Sequence, residues 1–176
     1  AHGIAAWGHG LETRGKLDRA AAQALAKGAI SKLRYEGSEY FWINDMQPRV
    51  VMHPIKPALD GTDVSGMKDP NGLALFVAFV DKVKRDKEGF VPYLWPKPGQ
   101  EQPVEKLSFV KGFEPWGWVI GSGIYIDDLR AELMLYIEKL AVIVGVALVL
   151  TVMLSRSITR SIVKGLNKAN RVARAI

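Results

Sequence analysis

The chain has 176 residues, a net charge of +6 and no cysteine. This length allows one domain plus an appendage, and without cysteine there can be no disulfide, thiolate metal site or thiol nucleophile. Six of the 24 basic residues and no acidic residue lie between Ser155 and Ile176, so the preceding body carries 18 of each sign. Nucleic-acid binders usually carry positive charge on the folded body, and this neutral body therefore argues against a nucleic-acid partner.

The N-terminal region predicts one long helix. The first dozen residues show no clear pattern, but residues 13–34 are rich in alanine, and Leu17, Ala21, Leu25 and Leu33 form a loose apolar stripe at helical spacing. A second helix is predicted to begin at Asp69 as N-cap, with Pro70 in its first turn, and to end near Lys87.

Five stretches around the second helix have the composition and alternation of strands. Turns rich in Pro, Gly and Asp separate them, and the connections between the last three strands are too short for parallel crossovers. We therefore expect an α+β domain in which a five-stranded antiparallel sheet packs against the long N-terminal helix. The predicted strands are residues 39–44, 49–53, 90–95, 104–111 and 116–126.

An uncharged segment near the C-terminus predicts a membrane span. Leu140 to Leu154 reads LAVIVGVALVLTVML, and extension back to Leu133 gives 22 residues, about the length that a bilayer requires. The alternative is a buried core helix, but such helices seldom run this long without a polar face. The basic tail after the segment is expected in the cytoplasm, which places the body outside. Because the chain starts at Ala1 and not Met, we also expect an export signal or first membrane helix upstream.

Three blocks resemble the extracytoplasmic single-Cache sensor domain of bacterial methyl-accepting chemotaxis proteins. They are YFWINDMQPRVVMHPIKPALDGTDVSGMKDPNG, GFVPYLWPKPG and PVEKLSFVKGFEPWGWVIGSGIYIDDL, and the match covers roughly residues 33–130. The final segment, SRSITRSIVKGLNKANRVARAI, resembles the first helix of a HAMP linker. The resulting division is a sensor domain in 1–130, a transmembrane helix in 131–154 and the start of HAMP in 155–176.

The resemblance implies a PAS-like fold with a small-molecule pocket on one side of the sheet and short carboxylates as frequent ligands. It also implies a dimeric receptor in the inner membrane, a periplasmic sensor and a signalling domain beyond this chain. No cofactor is expected. The same input can serve a sensor histidine kinase or a cyclic-dinucleotide enzyme, and the sequence after Ile176 would distinguish these outputs.

The hairpin from Tyr40 to Pro57 supplies the first candidate ligand residues. In a strand, alternate residues share a face, so Tyr40, Trp42 and Asn44 lie together, opposite Phe41 and Ile43. By the same rule His53 shares a face with Val51, and Met52 with Val50. All of these side chains could belong to the hydrophobic core, and we predict a core position for Phe41, Ile43 and Val50. For His53, proximity to Lys56 and Trp42 makes a place in the pocket an equal possibility.

The later strands supply the second set of candidates. Alternation places Val91, Tyr93 and Trp95 on one face, and Lys106, Ser108 and Val110 on one face of the next strand. A lysine in a sheet centre needs a carboxylate partner because an unpaired buried charge is costly. Glu105, Asp45 or a ligand could supply it. The predicted ligand-binding residues are Tyr40, Trp42, His53, Lys56, Tyr93, Trp95, Lys106 and Ser108.

Other chemistries have weaker support. The sequence lacks a nucleophile elbow, a paired-histidine zinc motif and a phosphate loop, which argues against a membrane-anchored hydrolase. His2 and His9 have no nearby carboxylate cluster, so a metal site there is not predicted. Asp60, Asp63 and Asp69 depart from calcium-loop spacing and are predicted to be solvated.

The basic tail carries an apolar repeat that predicts a parallel homodimer. Its positions recur at steps of four and three, as in a coiled-coil seam. The basic residues between them could also contact anionic lipid headgroups. The seam positions are Ile158, Ile162, Leu166, Ala169, Ala173 and Ile176.

Overall fold

A computed structural model describes residues 1–37 and 39–173, and for residues 128–132, 157, 161, 162 and 164–173 it describes the backbone alone. The chain forms two compact units, Ala1–Asp127 and Asp128–Ile176, and each is described by itself. The first unit combines helices with strands, whereas the second is helical. The predicted α+β class is confirmed.

The strands of the described residues lie in one antiparallel sheet, which has six strands where five were predicted. They are β1 (Arg34–Tyr35), β2 (Glu39–Asp45), β3 (Val50–Met52), β4 (Glu88–Pro96), β5 (Pro103–Phe113) and β6 (Trp118–Tyr125). The sheet order is β1-β2-β6-β5-β4, and β3 pairs with the end of β2. The short β1 is the additional strand. This order places β6 between β2 and β5, so residues from distant parts of the sequence meet on one face.

The N-terminal region contains two helices where one long helix was predicted. They are α1 (His2–Thr13) and α2 (Arg19–Ser31). The break is local: Gly15 has φ +65°, a conformation that few other residues adopt easily, and the Asp18 carboxylate accepts a hydrogen bond from Ala21 N and so caps α2. Pattern gave no sign of α1 because its sequence is short and rich in glycine.

The third helix, α3 (Leu75–Asp86), starts later than predicted. Asp69 does not cap it. Its carboxylate accepts hydrogen bonds from the backbone N–H groups of Asn71, Leu73 and Leu94 at 2.9, 2.9 and 3.0 Å. Asp69 is buried, so the prediction that it is solvated is wrong. The three bonds fasten the loop before α3 to β4.

Each face of the sheet packs against different helices. The face next to α3 carries Tyr40, Trp42, Val91, Tyr93, Trp95 and Val110. The opposite face, next to α1 and α2, carries Ile43, Phe113, Trp118 and Ile120, with Phe41 partly buried against them. The predicted assignment of side chains to the two faces is confirmed for β2, β4 and β5, because residues alternate regularly along these strands.

Strand β3 departs from simple alternation. Ile43 pairs with Met52 and Asn44 with Val50, so the register shifts by one residue at a bulge. Val50 belongs to the α3 face and Met52 to the opposite one. The prediction that they share a face is therefore wrong, as is the grouping of His53 with Val51, which packs on the second face.

The final helix, α4 (Ile126–Ala173), follows β6 directly. Asp127 lies within its first turn, and its carboxylate pairs with Lys97 Nζ at 2.7 Å. The stretch Leu133–Arg160 is long and apolar enough to cross a membrane, and its most apolar window is unburied. Apart from Ile158, the predicted seam falls on side chains outside those described, so the seam remains a prediction.

Two glycine substitutions should have opposite effects on stability. A Cβ at Gly123 would lie 2.0 Å from Ser108 Oγ and 2.5 Å from Leu107 O, so Gly123→Ala should lower the free energy of unfolding by about 1–3 kcal/mol. Gly28 lies exposed in α2 with open space around it, so Gly28→Ala should raise that free energy by about 0.5–1 kcal/mol. Urea unfolding followed by tryptophan fluorescence measures both. Shifts of the same sign would contradict the strand packing.

Candidate functional site

The centre of the candidate site is Lys106 in β5, whose side chain is fully buried. Its ammonium lies 4.2 Å from the ring centroids of both Tyr40 and Tyr125, so it is held between two aromatic rings. Burial lowers the pKa of Lys106 to about 8, although the nearby Glu39 carboxylate opposes this shift. The group is therefore still mostly charged at neutral pH.

The carboxylate nearest to Lys106 belongs to Glu39, a residue that sequence reasoning missed. Its Oε2 lies 3.8 Å from Lys106 Nζ, and Glu39 is itself buried. Neither Glu105 nor Asp45, the partners considered from the sequence, takes this place. Among the described residues, Lys106 Nζ has no hydrogen-bond acceptor in range. The ammonium is thus near a counter-ion but has hydrogen-bonding capacity to spare.

His53 lies beside this cation as a neutral donor. Its ring is 5.1 Å from that of Tyr40 and 5.8 Å from that of Trp95. Its Nδ1 accepts hydrogen bonds from Ile55 N at 3.3 Å and Lys56 N at 3.0 Å, so the ring proton must reside on Nε2. Burial, and then the positive charges of Lys106 and Lys56, lowers the pKa of His53 to about 3. The Nε2–H group is therefore a donor without charge.

Aromatic side chains enclose the two residues. Trp95 donates from Nε1 to the Tyr40 hydroxyl at 3.0 Å, and Lys56 Nζ lies 4.4 Å above the Trp95 ring. Burial raises the pKa of Tyr40 to about 12, so this hydroxyl stays protonated. Tyr93 and Ser108 share a hydrogen bond of 3.0 Å on the same face of the sheet. The walls thus combine apolar rings with hydroxyl groups.

The structure brings seven of the eight predicted residues onto one connected surface. Contacts link Tyr40, His53, Lys56, Trp95 and Lys106, and Tyr93 adjoins Trp95 with its partner Ser108. Trp42 has other partners: its ring lies 5.2 Å from that of Phe79, and its Nε1 donates to Asn44 Oδ1. We interpret Trp42 as core support. Tyr125, like Glu39, was missed, since the end of a strand gives no pattern signal.

The segment between β3 and α3 covers this face. Ile55, Leu59 and Met67 pack against the same core cluster as Tyr40 and Trp95. The Asp60 carboxylate accepts a hydrogen bond from His53 N at 2.7 Å, which holds the entry to the segment in place. Water is therefore kept from the site by a loop that Asp60 fastens at its beginning and that the hydrogen bond from Leu94 N in β4 to Asp69 fastens near its end.

A groove of about 670 Å³ lies elsewhere, between the end of α3 and the end of β5. None of the predicted ligand residues lines it. Two of its lysines, Lys87 and Lys111, are exposed and form surface ion pairs with Glu114 and Glu88. Exposed charges in water attract anions weakly, so these two lysines offer little binding energy to an anion.

Within the described part of the chain, no three His, Cys, Asp or Glu side chains are arranged to hold a metal ion. Instead, the loop carboxylates of Asp60, Asp63 and Asp69 accept hydrogen bonds from backbone N–H groups. His2 and His9 both pack edge-on against Phe113. These residues therefore have structural partners.

Comparison with known proteins identifies what the domain is similar to. Residues 9–138 match the family model described as Single Cache domain 2. The chain is 41% identical over 98% of its length to the methyl-accepting chemotaxis protein McpP of Pseudomonas putida, of which it spans 32%. It is 32% identical over 67% of its length to the sensor histidine kinase MctS of Rhizobium johnstonii, of which it spans 25%. The chain thus spans a third or less of these relatives.

Two solved structures resemble the first unit. A periplasmic sensor domain of a chemotaxis protein is 52% identical, with a TM-score of 0.70, and the match covers 71% of this chain and 87% of that one. A Cache chemosensory domain described in terms of carboxylic acid recognition is 49% identical, also with a TM-score of 0.70, over 70% of this chain and 84% of that one.

Proposed function

The chain belongs to the single Cache domain family, and we propose that it is the sensor region of a transmembrane chemoreceptor that binds a small organic anion of the short carboxylate class. One observation carries the proposal. The Lys106 ammonium is buried between aromatic rings, and no described acceptor uses its hydrogen bonds. A ligand carboxylate would complete them.

The other polar groups of the site also favour a carboxylate. His53 offers a neutral Nε2–H donor, and Tyr93 and Ser108 offer hydroxyl groups. A carboxylate accepts several hydrogen bonds, and bonds to charged donors are the stronger ones. The rings of Tyr40 and Trp95 exclude water, which strengthens these contacts, and they restrict the ligand to a short chain. The relative described in terms of carboxylic acid recognition supports the same ligand class.

The site also offers a route for the signal. Tyr125 contacts Lys106, is the last residue of β6 and is followed immediately by α4. Its hydroxyl donates to Pro96 O at 3.0 Å, and Lys97 pairs with Asp127 in the first turn of α4. A ligand that moves Lys106 would therefore act on Tyr125, the residue immediately before the helix. We propose that ligand binding shifts the balance between two arrangements of this junction.

The proposed function is tested by calorimetry on the chain in detergent micelles. Acetate, propionate and butyrate should bind, whereas acetamide, which has the shape of acetate without its charge, should bind far more weakly. Because the protonated Lys106 is required and its pKa is about 8, the affinity should fall as the pH rises through this value. Binding of a neutral sugar or an amine in place of any carboxylate would contradict the proposal.

The proposed topology places the sensor in the periplasm, residues 131–154 in the inner membrane and the tail from Ser155 in the cytoplasm, where it begins a HAMP linker of a homodimer. The basic tail supports this orientation. Reporter fusions at Gln102 should therefore read as periplasmic, and fusions after Ser155 as cytoplasmic. A cytoplasmic signal from the Gln102 fusion would overturn the topology.

A second output is possible for the same sensor. The similarity to a sensor histidine kinase favours this alternative, because both kinds of receptor share the input domain. The sequence after Ile176 discriminates between them: a long helical hairpin with heptad repeats indicates a chemoreceptor, and a kinase domain indicates the alternative. The external-hydrolase alternative loses support, because the relatives that match the first unit are sensor domains.

A further inference from the structure

Glu39 is the one acidic side chain that the structure places against the Lys106 ammonium among the described residues. It is the first residue of β2, it is 5% exposed, and its Oε2 lies 3.8 Å from Lys106 Nζ. That separation is close enough for strong Coulomb attraction but beyond the range of a hydrogen bond. The pair is therefore held together by charge and leaves the ammonium hydrogens available.

The rings around Lys106 restrict where any anion can approach. Tyr40 and Tyr125 each lie 4.2 Å from its Nζ and so occupy two sides of the ammonium. The Glu39 carboxylate is a third neighbour of this ammonium, with Oε2 3.8 Å from Nζ. A ligand carboxylate that bonds to Lys106 must therefore come close to the Glu39 carboxylate or displace it.

We propose that Glu39 is an internal counter-ion that competes with the ligand carboxylate for Lys106 and thereby sets the affinity of the site. The inference rests on the proposed function and adds a residue to it. Without ligand, Glu39 balances a buried positive charge that would otherwise be costly. With ligand, two carboxylates stand near one ammonium in a medium of low dielectric constant, and their repulsion weakens binding. The site thus releases its ligand more readily than its cation alone would allow.

The test is the variant Glu39→Gln, which keeps the shape of the side chain and removes its charge. Calorimetry with acetate and propionate at pH 6 should show binding about 10- to 100-fold tighter than in the wild-type chain, the fold-change expected for two charges a few ångströms apart. The low pH matters because Glu39 raises the pKa of Lys106, so its removal makes the ammonium easier to deprotonate. Working at pH 6, below the Lys106 pKa of about 8, limits this loss of charge, which acts against tighter binding and so cannot mimic the expected gain.

Glu105→Gln is the matched control. Glu105 adjoins Lys106 in sequence and carries the same charge, but its side chain is exposed. This variant should bind like the wild type. If both variants gain affinity equally, the effect is a general change of net charge and the inference fails.

The outcomes separate the inference from the proposed function. If the wild type binds a carboxylate and Glu39→Gln binds equally or more weakly, Glu39 merely positions Lys106, and the inference is overturned while the function stands. If no protein binds a carboxylate, both are overturned. Should Glu39→Gln not fold, Glu39→Asp serves instead: it retracts the charge by one methylene and should still bind more tightly than the wild type.

Discussion

Replacing Lys106 with methionine is expected to weaken carboxylate binding about 30-fold to several-thousand-fold. The estimate corresponds to the roughly 2–5 kcal/mol that is lost when a buried charged contact to a ligand is removed. Lys106 is fully buried, so water cannot easily take the place of its ammonium. Methionine keeps the length and apolar contacts of the side chain. Calorimetry with acetate at pH 6 measures the loss.

Lys111→Met provides the matched control for this experiment. Lys111 lies on the same strand, and alternation places it on the opposite face of the sheet. Its side chain is 44% exposed and pairs at the surface with Glu88. The variant makes the same chemical change and should leave the affinity near that of the wild type. An equal loss in both variants would mean that net charge, and not a bound contact, attracts the ligand.

The Lys106 variant also has a predictable cost in stability. Removal of one partner from a buried ion pair leaves the other charge uncompensated, which typically costs about 3–5 kcal/mol. Glu39 would be that charge, although the 3.8 Å separation places this pair toward the weaker end. The double variant Glu39→Gln/Lys106→Met removes both charges. It should recover most of the stability while carboxylate binding stays lost, and wild-type affinity in this variant would exclude Lys106 as the ligand cation.

Strand alternation predicted the faces of residues in regular strands correctly but gave no indication of Glu39. Residues such as Tyr93, Trp95 and Lys106 lie in long regular strands, where a period of two determines the face. Glu39 sits next to a turn, and alternation groups it with Phe41 on the other face, so the pattern gave no reason to place it beside Lys106. The bulge in β3 defeats the same rule at Val50. A single inserted residue reverses every later assignment.

The loop between β3 and α3 shows a different limit of prediction from local sequence patterns. Pro70 and Asp69 have the composition of a helix start, yet backbone N–H groups from two separate segments converge on the Asp69 carboxylate. One of the donors, Leu94, lies 25 residues away. A local rule for caps cannot anticipate a bond to a distant strand. His53 is similar, because its role as a neutral donor depends on Ile55 and Lys56 folding back onto its ring.

The buried His53 should make the stability of the sensor unit fall as the pH is lowered. The pKa of this residue is about 3 in the folded protein and about 6.5 when unfolded. Between these values the unfolded chain binds a proton that the folded chain does not. The contribution is therefore fully present above pH 6.5 and is lost as the pH falls from 6.5 toward 3. At about 1.4 kcal/mol per pH unit, a change from pH 6.5 to 4.5 removes roughly 2–3 kcal/mol.

The comparison that isolates this effect is wild type against His53→Asn. The Asn Oδ1 can accept the same backbone N–H bonds as Nδ1 of His53, but the side chain does not titrate. Urea unfolding at pH 7, 5.5 and 4.5 gives the free energy of unfolding. The five tryptophans all precede Asp127 and so report on the sensor unit alone.

Carboxylates elsewhere titrate alike in both proteins, so the difference between the two curves belongs to His53. It should shrink as the pH falls, because only the wild type loses stability through this group. Parallel curves would mean that His53 takes up its proton as readily in the folded protein as in the unfolded chain, and below about pH 6.5 the ligand would then meet a cation at this position in place of a neutral donor.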